Sequence, residues 1–472
     1  MSLKRRFQAD IRSVPVVLLL LVLMAVPVLA ACSGGDDDDE PTVASGSTTT
    51  SASPVSDDAN TESATGTIDT DAEGGDDASP TTGEATVPAA GTGTADIPAA
   101  ATVTPGSNQP ANTPSSNIPS ATNTPFATTG ASGDFAYGWN VALRGDKDSQ
   151  AHNQQTIEAV QASGFSWVRF QLEWSQFERV DDQWDPLPVD REIDALNAAG
   201  INVLLVINKA PEWILGGANG AFLSDYEEFA EVTSFVASRY AGKVQAYEIW
   251  NEQNLAHEVG GNVRVEDYFD LLEAGSRGVR AGDPNALVLF GGLTPNGIND
   301  PAIAIDDVQY LQLIYQYRGG EISQFFDVMG AHVNSTHNPP DTMYPDNLSA
   351  ESGWNDDESF YFRRAEQLRQ VMVDAGDEAK PMWLTEFGWT TENRAPGYEY
   401  GVNNTEEEVA EYLVRSYEIC TTEWEWCTGA FAWTLNWSTL APPEDEKTPW
   451  SALNADWSPR PAYDALTALE KQ

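Results

Sequence analysis

Val244-Gln245-Ala246-Tyr247-Glu248-Ile249-Trp250-Asn251-Glu252-Gln253-Asn254-Leu255 reads as a short apolar strand that ends by presenting a carboxylate. Met382-Trp383-Leu384-Thr385-Glu386-Phe387-Gly388-Trp389 does the same further along. Working outward from these two, six more strand-like runs appear. They are Ala136–Ala142, Trp167–Glu173, Asn202–Asn208, Leu287–Gly291, Asp327–His332 and Ala430–Leu435. Amphipathic stretches of helical period separate them, among them Asp225–Tyr240, Val265–Val279, Phe360–Val373 and Glu406–Ile419. Strand alternating with helix implies a parallel sheet covered by helices. Eight repeats predict closure into an α/β fold of the (β/α)8 barrel type, with a doubly wound open sheet as the alternative. In such a barrel, chemistry collects at the C-terminal ends of the strands.

The rest of the chain is unlike this. All 15 Trp and all 4 His lie beyond residue 133, in the region 134–472 that carries the alternation. Residues 33–133 contain no Lys or Arg and are dominated by Thr, Ser, Ala, Gly, Pro, Asp and Glu. That composition buries too little apolar surface to offset its ordering entropy, so 32–133 is expected to be a disordered tether. Ahead of it, Lys4, Arg5 and Arg6 precede an apolar run from Val14 to Ala31, the order of a secretory signal over residues 1–31. The run ends in Leu29-Ala30-Ala31-Cys32, which resembles a bacterial lipobox and implies a lipid on Cys32. A plain transmembrane anchor is the alternative; either reading puts the remainder outside the cytoplasm. A formal charge of −47 repels phosphate backbones, which excludes nucleic acid as an expected partner. Cys420 and Cys427 are left as a possible disulfide or as two free thiols.

Two carboxylates at strand ends, each flanked by Trp, suit glycoside cleavage, which needs an acid on one side of the anomeric carbon and an ionised carboxylate on the other. The Trp250-Asn251-Glu252 and Thr385-Glu386-Phe387-Gly388 motifs resemble those on strands four and seven of glycoside hydrolase clan A. Within the clan, Trp-Asn-Glu-Gln-Asn-Leu is most similar to family 39, with family 5 beside it. Arg169 resembles the strand-two arginine that supports the nucleophile, and Trp174-Ser175-Gln176-Phe177-Glu178 the segment following it. Leu453-Asn454-Ala455-Asp456, leading into Pro459-Arg460-Pro461-Ala462-Tyr463, resembles the C-terminal tail of several families. The resemblance implies a retaining double displacement on β-linked oligo- or polysaccharide. Glu386 would be the nucleophile and Glu252 the acid/base, their carboxyl carbons about 5–5.5 Å apart. Glu252 is expected to have a raised pKa, while Glu386 stays ionised beside Arg169. Asn251 would hold the 2-hydroxyl of the sugar. His332 is a candidate lining residue; the tyrosine that the clan often pairs with it on strand six is missing.

Sugars stack their CH faces on aromatic rings. Trp139, Trp174, Trp213, Trp250, Trp389, Trp433 and Trp437 all fall near strand ends, and Trp433 resembles the clan's platform under the cleaved sugar. Asn140 is a candidate hydroxyl contact. Zinc spacing, phosphate-cradling glycines and nucleotide fingerprints are absent from the sequence, so neither metal nor cofactor is expected. A monomeric enzyme is the leading expectation, and a barrel that binds carbohydrate without cleaving it the second.

Overall fold

The computed structural model describes residues 134–144, 149–346 and 357–471. The signal segment, Cys32 and the tether lie outside the described residues. Eight strands form one closed parallel barrel. They are β1 (Ala136–Asn140), β2 (Trp167–Glu173), β3 (Asn202–Asn208), β4 (Ala246–Ile249), β5 (Leu287–Leu293), β6 (Val328–Asn334), β7 (Met382–Gly388) and β8 (Cys427–Ala432). Each pairs with its neighbours in chain order, and β8 closes on β1 through Ala136 opposite Gly429 and Trp139 opposite Ala432. One principal helix follows each strand. These are α1 (Gln150–Ala162), α2 (Leu187–Ala198), α3 (Glu227–Arg239), α4 (Val265–Gly282), α5 (Asp307–Gln316), α6 (Arg364–Asp374), α7 (Glu406–Thr422) and α8 (Pro461–Ala468). The architecture is the (β/α)8 barrel expected from the alternation.

The helices carry the local signals that start them. Thr405 and Glu408 make a reciprocal capping box ahead of α7, whose first turn also holds Glu406 and Glu407. Those carboxylates lie at the positive end of the helix dipole. In α3, Glu227 and Glu228 occupy the first turn and Arg239 the last. Short hairpins at Glu178–Val180 with Gln183–Trp184 and at Asn299–Asp300 with Ala304–Ile305 decorate the loops after β2 and β5. No helix among the described residues is long and apolar enough to cross a membrane.

The interior of the barrel has two levels. The lower one takes one apolar residue from every strand: Ala136, Trp167, Leu204, Ala246, Leu289, Val328, Trp383 and Phe431. Large and small side chains share this layer. Trp383 meets Trp167 edge-on at 5.1 Å between centroids and Phe431 at 5.6 Å, while Ala136 and Ala246 give them room. Two residues up from Trp167 and Ala246 the facing side chains become charged, Arg169 on β2 and Glu248 on β4. Below, Cys420 near the end of α7 is disulfide-bonded to Cys427 at the start of β8, with Cα atoms 5.2 Å apart.

Candidate active site

The polar upper level is organised by Arg169. Its side chain is buried, and its Nε donates to Glu248 at 2.6 Å. Nη1 donates to Glu386 at 2.5 Å and to Asn140 at 2.9 Å, and Nη2 donates to Asn251 at 2.8 Å. One guanidinium therefore ties β1, β2, β4 and β7 together, using its fixed fork of donors. Glu248, fully buried, also accepts the N–H of Gly292 at 2.9 Å. Glycine is needed at Gly330 opposite it, because a Cβ there would lie 2.3 Å from the Phe290 carbonyl oxygen.

Glu252 reaches the site by an unusual backbone path. Trp250 has φ of 70° and Glu252 φ of 50°, both in the left-handed region that side chains other than glycine and asparagine rarely adopt. Each costs about 1–2 kcal/mol, and such strain persists only where surrounding contacts fix it. The contacts are present. The Glu252 N–H donates to Gly292 O at 3.0 Å, Trp250 Nε1 to Glu258 O at 3.1 Å and Gln253 Nε2 to Gly291 O at 2.8 Å. The turn ends β4 at Ile249, earlier than the apolar run to Trp250 suggested.

His332, at the end of β6, is the third member. Its Nδ1 lies 3.0 Å from Glu252 Oε1 and its Nε2 3.8 Å from Glu386 Oε1. The ring fits because position 292 is glycine: a Cβ there would sit 2.3 Å from the imidazole. One oxygen of Glu252, one of Glu386 and a ring nitrogen of His332 all lie within 4.8 Å of one another.

The charges settle differently from expectation. Burial pushes Glu252 up, but the hydrogen bond and charge of His332 outweigh it and leave its carboxyl below the usual glutamate value. Burial pushes Glu386 up too, and with repulsion from Glu252 it overcomes the pull of His332 and Arg169. Burial alone would lower His332; the two glutamates reverse that and raise it. A raised Glu252 beside a low Glu386 is thus not the state of the free site. The reason is an imidazole whose position between the two carboxylates was invisible in sequence.

Of the expected aromatic platforms, the buried Trp250 and three others are corrected. Trp139, Trp174 and Trp389 are wholly buried core residues with no face left for a sugar. Their indole N–H groups donate to Ser163, Glu178 and the Asn338 carbonyl. The Trp174–Glu178 bond at 2.7 Å explains the segment after β2 as a clasp within the loop. Asn140 is likewise buried, its amide donating to Thr385 O and Phe431 O, so it braces the barrel end and Arg169 instead of meeting a hydroxyl. Trp250 packs edge-on against Phe222. Trp433, directly after β8, and Trp437 stay partly exposed, tilted against each other at 6.0 Å. Sequence reasoning missed two residues. Glu248 had a signal, a lone acid inside an apolar strand. Tyr398, on the loop after β7, had none; burial, then the charges of Glu446, Glu252 and Glu386, push its hydroxyl above the usual tyrosine value.

Residues 120–430 match the family described as Cellulase (glycosyl hydrolase family 5). The chain belongs to glycoside hydrolase family 5. Of the two families that the strand-four motif resembles, the sequence match falls on this one, while family 39 supplies structural neighbours. One is a family 39 glycoside hydrolase from the gut symbiont Bacteroides cellulosilyticus WH2, at 20% identity and a TM-score of 0.53, covering 71% of this chain and 63% of that one. Another is a monomeric beta-xylosidase from Caulobacter crescentus CB15, at 16% identity and a TM-score of 0.52, covering 71% and 67%. At these identities the likeness is one of fold. The family 5 chain spans less than two thirds of the length of the first of these. None of the curated proteins matches it in sequence.

Proposed function

We propose that this family 5 protein is a retaining β-glycosidase of extracellular oligo- or polysaccharide, with Glu386 as nucleophile and Glu252 as acid/base. The observation that carries this is the short approach of the two carboxylates, oxygens within 4.8 Å, with Arg169 on one and His332 on the other. Inverting catalysis places a water between carboxyl groups about 6.5–9.5 Å apart, and an oxygen–oxygen approach within 4.8 Å favours the shorter retaining spacing of about 5–5.5 Å. Arg169 aims one oxygen of Glu386 and leaves the other to attack the anomeric carbon. Asn251, whose Oδ1 is taken by Arg169, presents its amide to the 2-hydroxyl.

The His332–Glu252 pair holds the proton the first step needs. Moving it from Nδ1 to the carboxylate changes no net charge, so the pair serves as a single acid. Glu252 then protonates the leaving oxygen as Glu386 forms its ester. Ester formation removes the Glu386 charge that raised His332, lowering proton affinity at the site. Glu252 is thereby freed to take a proton from water, which attacks the anomeric carbon and releases Glu386. The partly exposed Trp433 supplies the stacking face beneath the sugar.

The signal-like N-terminus and the Lys- and Arg-free segment 33–133 support export, a lipid on Cys32 and a tether that carries a monomeric catalytic domain away from the membrane. The test of the catalytic reading is a panel of β-linked oligosaccharides incubated with the full chain, its Glu386→Ala variant and its Glu252→Gln variant. Hydrolysis by the parent and its loss in Glu386→Ala is the expected outcome. Equal turnover by Glu386→Ala would remove the nucleophile assignment.

A further inference from the structure

Three charged side chains in the loops next to Glu252 take no part in the two displacement steps. Lys209 follows β3 directly, while His257 and Glu258 end the turns that begin at Glu252. Glu258 is their hub. Its carboxylate is buried, and Lys209 Nζ donates to its two oxygens at 2.9 and 2.7 Å. His257 Nε2 lies 3.5 Å from one of those oxygens, with its side chain 37% exposed. The backbone of Glu258 is held as well. Its carbonyl accepts the Trp250 indole N–H at 3.1 Å, and its N–H donates to the Leu255 carbonyl at 3.1 Å. The Leu255 N–H donates in turn to the Glu252 carbonyl at 2.9 Å. Lys209 adopts a φ of 58°, and its carbonyl accepts the Ser175 N–H at 2.8 Å. A lysine held in the left-handed region, like Trp250 and Glu252, needs contacts that fix it there.

Counting charge gives this cluster a role. Lys209 and Glu258 cancel, so a protonated His257 adds one positive charge and a neutral ring adds none. Glu252 feels that charge: burial raises its carboxyl, His332 lowers it, and the charge of His257 lowers it further. The influence is mutual. Contact with Glu258 outweighs burial and, helped by the charge of Glu252, holds His257 above the usual histidine value, with Lys209 opposing. The hairpin behind the turn, to whose Ile303 carbonyl the Ala256 N–H donates at 3.0 Å, brings one more acid, Asp300. Its carboxylate accepts the Ala302 N–H at 3.0 Å. Water reaches His257 and is kept from His332, whose side chain is fully buried. One ring exchanges its proton with solvent at the lip of the site, and the other holds the proton that Glu252 uses.

We propose that His257, backed by the Lys209–Glu258 pair, is a positioning residue for the acid/base, its proton setting how tightly Glu252 and His332 hold theirs. The proposal rests on the glycosidase reading for the meaning of that proton, but its test does not need turnover. The chain has four histidines, so imidazole nitrogen NMR of the full-length protein can follow each, with His257→Gln and His332→Gln assigning two of the signals. In His257→Gln the His332 titration is expected to move up by about half a pH unit, the size of a screened charge interaction across a partly solvated site. In His257→Arg, where the positive charge stays, no upward move is expected. The alkaline limb of kcat/KM should follow the same order, rising in His257→Gln and not in His257→Arg. An unmoved His332 titration in His257→Gln, or an equal shift in both variants, would overturn the role of His257. In either case hydrolysis by the parent would leave the glycosidase reading standing. A charge-dependent shift of His332 in a parent that hydrolyses nothing would do the reverse.

Discussion

The two levels of the barrel interior solve opposite problems. Below, eight apolar side chains, one per strand, fill the barrel; their polar atoms are the two indole N–H groups, of which that of Trp383 donates to Thr428. Above, Arg169, Glu248, Glu386, Glu252 and His332 crowd three carboxylates and two basic groups into a nearly dry space. Two of the non-glycine residues with positive φ, Trp250 and Glu252, lie at that upper level. His332 Nε2 also finds no hydrogen-bond partner there. The contrast teaches that the lower level supplies stability, and the upper one spends part of it to hold groups that a relaxed chain would not bring together.

Mutations should separate the levels cleanly. The largest effect is expected for Glu386→Ala, a loss in kcat on the order of 10⁴-fold. Its melting temperature should stay near that of the parent, since Arg169 keeps Glu248; steady-state kinetics beside calorimetry checks both. Next comes Phe431→Ala in the lower level, expected to cost about 3–5 kcal/mol of stability with activity per folded molecule retained. Denaturant titration followed by active-site normalisation reads this, and a comparable fall in kcat at low temperature would show that the levels are not separate. Replacing both Cys420 and Cys427 by Ala opens a short closed loop below the barrel, for a loss of about 2 kcal/mol and no change in KM.

The smallest predicted effect concerns pH. His332 is raised, so the proton it shares with Glu252 stays bound through the ordinary histidine range and leaves only above it. Activity needing that proton should therefore fall on an alkaline limb above the usual histidine pKa. In His332→Gln one of the two bases holding the proton is gone, and the limb should move to lower pH. A pH profile of kcat/KM decides; an unmoved limb would assign the proton to Glu252 alone.

Much of this was legible in sequence because strand periodicity survives translation into structure. All eight runs became barrel strands, and the carboxylates at 252 and 386 arrived at one mouth. What a strand end does not encode is which way a large ring turns. Trp433 and Trp139 look alike in sequence, yet one stays partly exposed and the other is buried against Phe165. Nor does a single strand show what faces it across the barrel. Glu248 takes its role from Arg169 on β2, His332 takes its role from Glu252 in the turn after β4 and from Glu386 on β7, and the glycines at 292 and 330 make room. The electrostatic state of the site follows from those distances, which is why the expected order of the two glutamate pKa values came out reversed.

The central claim, that Glu386 attacks the sugar with Glu252 beside it, is tested most directly by product stereochemistry. Proton NMR of the first-formed product from a β-linked substrate, recorded before mutarotation, should show the β anomer. A first-formed α anomer would contradict the double displacement and the assignment of Glu386 as nucleophile.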